Sequence, residues 1–268
     1  MNRIKNQFRR ISDDERTGFI PYVMAGYPSL DASQGLIETL AENGADIIEI
    51  GLPYSDPLAD GATIQKAGEA ALANGVTTGQ VLRMARRVRQ KHDVPLVIMS
   101  YYNLIFKYGL DRFVRDAAPI IDGVILPDLP PEEAQAWRRA SAGTIGTSFL
   151  LAPTSSAARI RRIAKASEGF VYCVSLTGVT GARTKLPADL GRFVARVRQE
   201  TSKPLAVGFG ISTPAQASEV ARVADAVIVG SALVDIAGHN GTETQILKRT
   251  GDFARRVRKV LAGNGRGT

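Results

Sequence analysis

The sequence predicts an α/β protein folded as a single closed (β/α)8 barrel, with an extra N-terminal helix and additional peripheral helices. Three observations predict it. Eight short apolar runs rich in strand formers recur along the 268 residues, separated by stretches of helical character. Glycine clusters follow the last two runs, GFGIS at 208–212 and GSA at 230–232, which is where such barrels commonly hold an anion. The rival architecture, a doubly wound open sheet, should carry a glycine-rich turn of fixed spacing directly after its first strand. The residues after Val23 read AGYPSL instead. The expectation is therefore one TIM-barrel catalytic domain over residues 1–268.

Each element has its own signal. Residues 2–13 read as a leading helix whose apolar face is Ile4, Phe8 and Ile11. Residues 18–28 give the first strand and its exit loop, although Pro21 requires a special placement in any ladder. Leu36, Ile37, Leu40 and Ala41 stripe a helix over 31–43, which Asn43-Gly44 ends, and 46–50 is the second strand. Helices over 63–74 and 77–91 precede strand 95–100, and a helix near 109–117 leads to strand 122–128. After Pro130 and Pro131 a helix is expected to carry Glu132 and Glu133 in its first turn, where acids suit unpaired amides. Strands at 144–150, 169–175, 204–210 and 225–231 follow, with helices near 156–166, 188–200, 213–222 and 242–261.

Composition narrows the function classes. Apolar residues make up 44% and charged residues 22%, as in an ordinary soluble chain. The longest apolar runs are far too short to cross a bilayer, and the charged N-terminal segment carries no apolar signal core. Cys173 is the only cysteine, so neither a disulfide framework nor a cysteine-rich metal site is available, which suits a cytoplasmic setting. The net charge of +8 gathers on helical runs such as RMARRVRQK at 83–91 and RIRRIAK at 159–165. No nucleic-acid motif accompanies them, and they read as solvated faces and structural pairings that also attract a small anion.

The chemistry centres on DIIEIGLPYSDPLADG at 46–61. Glu49 lies among three isoleucines near the end of the second strand, and a carboxylate buried there must be satisfied or used. Such a pocket raises its pKa toward the range useful for proton transfer. Asp60, ending the following loop beside Gly61, is a second candidate able to neutralise a polarised N–H, with turn capping as the alternative. Asp56 and Asp128 fit turns better than chemistry. The glycines of GFGIS and GSA let backbone amides converge, helices starting just afterward add donors, and Ser231 supplies a hydroxyl. GVTGA at 178–182 completes a three-loop cradle for a phosphate dianion and has the glycines of a closing loop. Tyr22, Tyr101, Tyr172 and Phe209 fall at strand ends, suited to core packing or to a flat apolar pocket. His92 and His239 are isolated from any metal or hydrolytic arrangement.

In segment order the chain closely resembles the tryptophan synthase alpha chain family. The marks are IEIGLPYSDPLADG at 48–61, YYNLIFKYG at 101–109, VILPDLPPEE at 124–133, YCVSLTGVTGAR at 172–183, GFGIS and VGSALV at 229–234. The resemblance implies a cytoplasmic lyase cleaving indole-3-glycerol phosphate to indole and D-glyceraldehyde 3-phosphate in L-tryptophan biosynthesis. It implies Glu49 as the proton shuttle and Asp60 as the stabiliser of the indole nitrogen. Tyr172 then lies beside the catalytic centre, Thr180 on the closing loop, and Tyr22, Tyr101 and Phe209 around the pocket. Gly181, Gly210, Gly230 and Ser231 match phosphate contacts. Leu104 and Ala62 stand where related sequences often carry proline, and Tyr22 where phenylalanine is frequent. No metal or other cofactor is implied for this chain, the family's pyridoxal phosphate belonging to the beta chain. An α2β2 heterotetramer is implied, with residues 53–57 and 101–109 facing the beta chain, and no nucleic acid or membrane partner. A stand-alone lyase, a phosphosugar isomerase and a non-catalytic barrel are the competing readings.

Overall fold

The computed structural model describes residues 3–174, 189–208 and 210–263. Its centre is a parallel sheet: β1 (Gly18–Met24), β2 (Ile48–Gly51), β3 (Leu96–Met99), β4 (Gly123–Ile125), β5 (Gly146–Ser148), β6 (Leu150–Leu151), β7 (Val171–Val174), β8 (Leu205–Gly208) and β9 (Ala226–Val229). The order is β5-β4-β3-β2-β1-β9-β8-β7-β6. Because β5 and β6 are two pieces of one chain segment, the apparent edges are the same stave and the barrel closes on eight. The break is local. Between the pieces, the Phe149 amide donates to the Ser167 hydroxyl at 3.1 Å, while its carbonyl accepts from Tyr172 at 3.1 Å. The single strand expected at 144–150 is thus divided by one side-chain hydrogen bond. Pro21 lies at a changeover, since β1 pairs β9 through Gly18–Pro21 and β2 from Tyr22 onward. Its missing N–H falls where one ladder ends.

Alternation along the strands separates two cores. Ile20, Ile47, Val97, Ile125, Ala206 and Ile228 fill the barrel, whereas Phe19, Ile48, Ile50, Ile98, Val124 and Val207 pack outward on the helices. The leading helix α1 (Arg3–Asp13) joins the inner set through Ile4, Phe8 and Ile11, with the Phe8 and Phe170 rings 5.7 Å apart. It plugs the end of the barrel where the strands begin. A Cβ on Gly169 would stand 2.9 Å from Ile4, so that glycine makes room for the plug.

The same end carries a repeated brace. Asp46, Asp122 and Asp225 each precede a strand and exchange two hydrogen bonds with a residue in the first two positions of the preceding strand. The Asp46 amide donates to the Phe19 carbonyl and the Phe19 amide to the Asp46 carboxylate, both at 2.8 Å. Leu96 with Asp122 and Leu205 with Asp225 repeat the exchange. Thr147 does so with Glu168 at 2.7 and 3.3 Å. Each aspartate also holds an arginine: Arg16 bidentate on Asp46 at 2.8 Å, Arg89 on Asp122 at 2.7 Å, and Arg198 on Asp225. Several of the basic runs are therefore spent on carboxylates, as are Arg159 and Arg162 on Glu132 and Lys91 on Glu38.

Around the barrel lie α2 (Leu30–Glu42), α3 (Ala62–Ala73), α4 (Thr78–Lys91), α5 (Tyr102–Tyr108), α6 (Leu110–Ala117), α7 (Gln135–Ser141), α8 (Ala157–Ala166), α9 (Leu190–Glu200), α10 (Pro214–Ala221), α11 (Ser231–Gly238) and α12 (Glu243–Ala262). One expectation is corrected. Glu132 and Glu133 sit in a turn before α7, not in its first turn. Glu132 instead reaches Arg159 and Arg162 of α8, at 2.6 Å each, and hydrogen bonding to Arg162 leads the effects that bring its carboxyl down to about 2. No helix among the described residues is long and apolar enough to cross a membrane.

The Asp46 brace yields a stability test. The Asp46 and Arg16 side chains are only 5% and 9% exposed. Asp46→Ala leaves the buried Arg16 guanidinium with Asp14 as its one carboxylate and the Phe19 amide without its acceptor, so it should destabilise the fold by about 3 kcal/mol, read as a lower urea midpoint. An unchanged midpoint would show that the brace contributes nothing.

Candidate active site

The strand register places Glu49 beside Tyr22 and Val97. Because Ile48 and Ile50 face the helices, Glu49 turns into the barrel, where it is 1% exposed. Among the described residues its Oε2 has no hydrogen-bond partner. A carboxyl buried with an oxygen unpaired favours its neutral form. Burial, followed by the charge of Asp60, raises Glu49 to about 8. At neutral pH Glu49 therefore keeps its proton.

Asp60 closes the loop that leaves β2. The loop backbone is tied down by Asp60 N to Pro57 O at 3.0 Å and Gln65 Nε2 to Asp60 O at 2.9 Å. Burial raises Asp60 to about 6 against a hydrogen bond from Tyr101 that lowers it. Two neighbouring carboxyls are thus pushed apart, one an acid and one a base near neutrality, the division of labour proton-transfer sites use. Tyr22 and Tyr172 stay phenolic, held up first by burial and then by these carboxyls.

A cavity of about 450 Å³, its open mouth included, joins these groups. Of the residues expected around a substrate, it is lined by Glu49, Asp60, Tyr22, Tyr172, Gly210, Gly230 and Ser231. Tyr101 is buried but does not line it; its hydroxyl accepts from the Ala59 amide at 2.8 Å. Thr180, Gly181 and Phe209 lie outside the described residues. Met99, Ile64 and Ile228 supply apolar wall that sequence reasoning did not single out. Their signal was only the inward alternation of β3 and β9 and the first turn of α3.

Two glycines have a role the sequence reading did not assign, Gly208 having been read only as part of the GFGIS loop. A Cβ on Gly51 would come within 2.0 Å of the Tyr22 hydroxyl, and one on Gly208 within 2.4 Å of the Tyr172 hydroxyl. Each notch on a neighbouring strand receives a pocket tyrosine.

The anion end is narrower than expected. The helix after GFGIS caps itself: Gln216 Oε1 takes the Ser212 amide at 2.8 Å and the Thr213 amide at 3.2 Å, while Thr213 Oγ1 takes the Gln216 amide. The Ser212, Thr213 and Gln216 amides are thereby occupied. At α11 the cap is Gly230, with no side-chain hydrogen bond, and its carbonyl takes the Leu233 and Val234 amides. The Ser231 and Ala232 amides, in the first turn, have no intrahelical acceptor. This helix end, with Gly210 at φ +77 beside it, is what the cavity offers an anion. Among the described residues no three His, Cys, Asp or Glu side chains converge as a metal site. Asp128, expected to serve its own turn, instead accepts from the Tyr102 amide at the start of α5, at 2.9 and 3.0 Å.

Residues 8–261 match the family model of the tryptophan synthase alpha chain. The chain belongs to that family. It is 49% identical over 238 residues to the tryptophan synthase alpha chain of Geobacter sulfurreducens, covering 88% of this chain and 90% of that one. With that of Dehalococcoides mccartyi it shares 46% identity over 266 residues, 97% and 100% of the two chains. Among solved structures, a chain of Mycobacterium tuberculosis tryptophan synthase superposes with a TM-score of 0.89 at 38% identity, covering 97% of this chain and 98% of that one. The alpha chain of Legionella pneumophila gives 0.90 at 34% identity, covering 99% of each. Tryptophan synthase alpha chains are lyases of tryptophan biosynthesis.

The elevated Glu49 pKa has a thermodynamic signature. The folded state keeps a proton that the unfolded chain releases above its ordinary value of 4.5, so stability falls as pH climbs from there to about 8. The loss runs at up to roughly 1.4 kcal/mol per pH unit. In Glu49→Gln that dependence is gone, and the urea midpoint of the variant should gain on wild type steadily between pH 5 and 8. A constant difference would mean that Glu49 titrates as an exposed residue does.

Proposed function

We propose that this chain is the alpha subunit that cleaves indole-3-glycerol phosphate to indole and D-glyceraldehyde 3-phosphate, as one catalytic domain acting in the cytoplasm. The observation that carries the reading is a protonated acid and an ionisable carboxylate in one cavity whose far rim is an open helix end. The phosphate sits at that end, on the amides of Ser231 and Ala232 with Gly210 and Gly230 beside them, and Gly181 joins from the sixth loop. The indole lies against Tyr22, Tyr172 and Met99, with Phe209 as a further wall and Thr180 on the loop that closes over it. Binding energy gained at the phosphate, remote from the bond that breaks, orients the ring for reaction.

Glu49 gives its proton to indole C3, which interrupts the ring's aromaticity and places positive charge at the ring nitrogen. Asp60, ionised above about pH 6, accepts the N–H hydrogen bond and stabilises that charge. The bond from C3 to the glycerol carbon then breaks. Its electron pair returns to the ring, and the carbon left behind becomes an aldehyde as its hydroxyl loses a proton. Glu49, now a carboxylate, receives that proton and is restored. The phenols stay neutral and Asp60 is engaged, so Glu49 is the group available for both transfers.

The beta chain is the proposed partner, in an α2β2 assembly. Leu58 is 89% exposed and Phe106 62% exposed, and they lie on the Asp60 loop and on α5 beside the mouth. Apolar side chains displayed this openly on neighbouring rim segments suit burial against another subunit.

The test measures indole release from indole-3-glycerol phosphate, with and without a beta chain. Glu49→Gln and Asp60→Asn should each lose at least about a hundredfold in kcat while keeping the circular dichroism of wild type. For wild type, kcat/KM should rise with pH as Asp60 ionises near 6 and fall as Glu49 loses its proton near 8. Release of an isomerised sugar phosphate without indole would overturn the proposal. Full turnover unaffected by the beta chain would leave the chemistry but remove the subunit.

A further inference from the structure

Tyr101 was expected to touch substrate, yet it stands behind the cavity wall. Its hydroxyl faces the end of the β2 exit loop, where the Ala59 amide donates to it at 2.8 Å. A phenol oxygen that accepts from an amide keeps its own proton to give away. Ala59 is the chain neighbour of Asp60, so the hydroxyl stands next to that carboxylate, whose pKa it lowers against burial. The ring is fixed as well. It stacks on Tyr54 with centroids 4.8 Å apart and planes 26° apart, and the Tyr54 hydroxyl accepts from Asn103 Nδ2 at 3.3 Å. The residue itself caps α5, whose first amide is held by Asp128. Both the phenol and the loop it addresses are thus anchored independently of any ligand.

We infer that Tyr101 is a positioning residue: its hydroxyl, set by the Ala59 amide, hydrogen-bonds the Asp60 carboxylate and aims it into the cavity without touching the substrate. The inference rests on the reading of Asp60 as the group that meets the indole nitrogen. Among the described residues the titratable groups facing Asp60 are Glu49 from β2, Tyr22 from β1, Tyr172 from β7 and Tyr101 itself. Glu49 makes the Asp60 charge harder to hold when it ionises, and the hydroxyl of Tyr101 counteracts burial in favour of that charge.

The decisive variant is Tyr101→Phe, which keeps the ring stack and deletes only the hydroxyl. Losing a hydrogen bond to a charged acceptor should move the acid limb of kcat/KM up by about one pH unit, with roughly fivefold less activity at pH 6 and roughly tenfold less well below it. KM at high pH should stay within about twofold of wild type, because uniform binding is untouched. Placing 3-fluorotyrosine at 101, which strengthens the donor and conserves shape, should move the same limb down. A raised KM with an unmoved limb would make Tyr101 a substrate contact instead. An even loss at all pH values in Tyr101→Phe, with no shift from fluorotyrosine, would make it structural only. A carbon-13 carboxyl titration of Asp60, assigned with Asp60→Asn, needs no turnover and should show the same upward shift in Tyr101→Phe. If wild type releases no indole, the activity reading fails alone. If the titration does not move, the positioning role fails.

Discussion

A buried carboxyl group with one oxygen unpartnered among the described residues, walled in at the mouth of a closed sheet, is the constraint to which the rest of the molecule answers. Glu49 can remain there only as the neutral acid at ordinary pH, because ionisation in a dry cavity without a counter-charge is too costly. Its neighbour Asp60 must then lie far enough toward solvent, and have enough hydrogen bonding, to carry charge. The contrast is made by depth and by one phenol. Burial raises both groups, the Asp60 charge adds to the rise at Glu49, and the Tyr101 hydroxyl holds Asp60 lower.

Such a site needs a frame that does not relax around its penalty. The described structure provides it at the opposite end of the barrel, where the four reciprocal braces pin each odd stave to the next even one and α1 seals the core. Chemistry at one end and rigidity at the other is the division that parallel barrels permit, because their strand exits and strand entries face opposite ways. The aspartates of the braces resemble Asp60 in sequence, each being a lone acid beside an apolar run. What separates them is company: Asp46, Asp122 and Asp225 each meet an arginine and an amide, and Asp60 meets neither.

Much of this was legible in the sequence. Alternation and glycine punctuation located all eight staves, and the isoleucines around Glu49 marked it as buried. What escaped depended on partners distant in the chain. Helix α5 is only seven residues long and rich in aromatics, and its first amide is held by Asp128 from another loop. The break at Phe149 comes from Ser167, eighteen residues away. Glu132 looked like a residue for a helix start, but two arginines of α8 claim it. The two glycine loops looked equivalent as anion sites until Gln216 was found filling one of them. The local signal was present, since Thr213 and Gln216 have the spacing of a capping box.

The notches at Gly51 and Gly208 carry a consequence for how such a pocket changes over time. Each tyrosine hydroxyl occupies the volume that any larger neighbour would claim, so ring and hollow form a lock of two parts. Trimming either tyrosine enlarges the chamber in one step and leaves the glycine idle. Adding a methyl group to either glycine first has no tolerated intermediate while the phenol remains. Drift toward other ring sizes is therefore directional here, open through the aromatic positions and shut through the small ones.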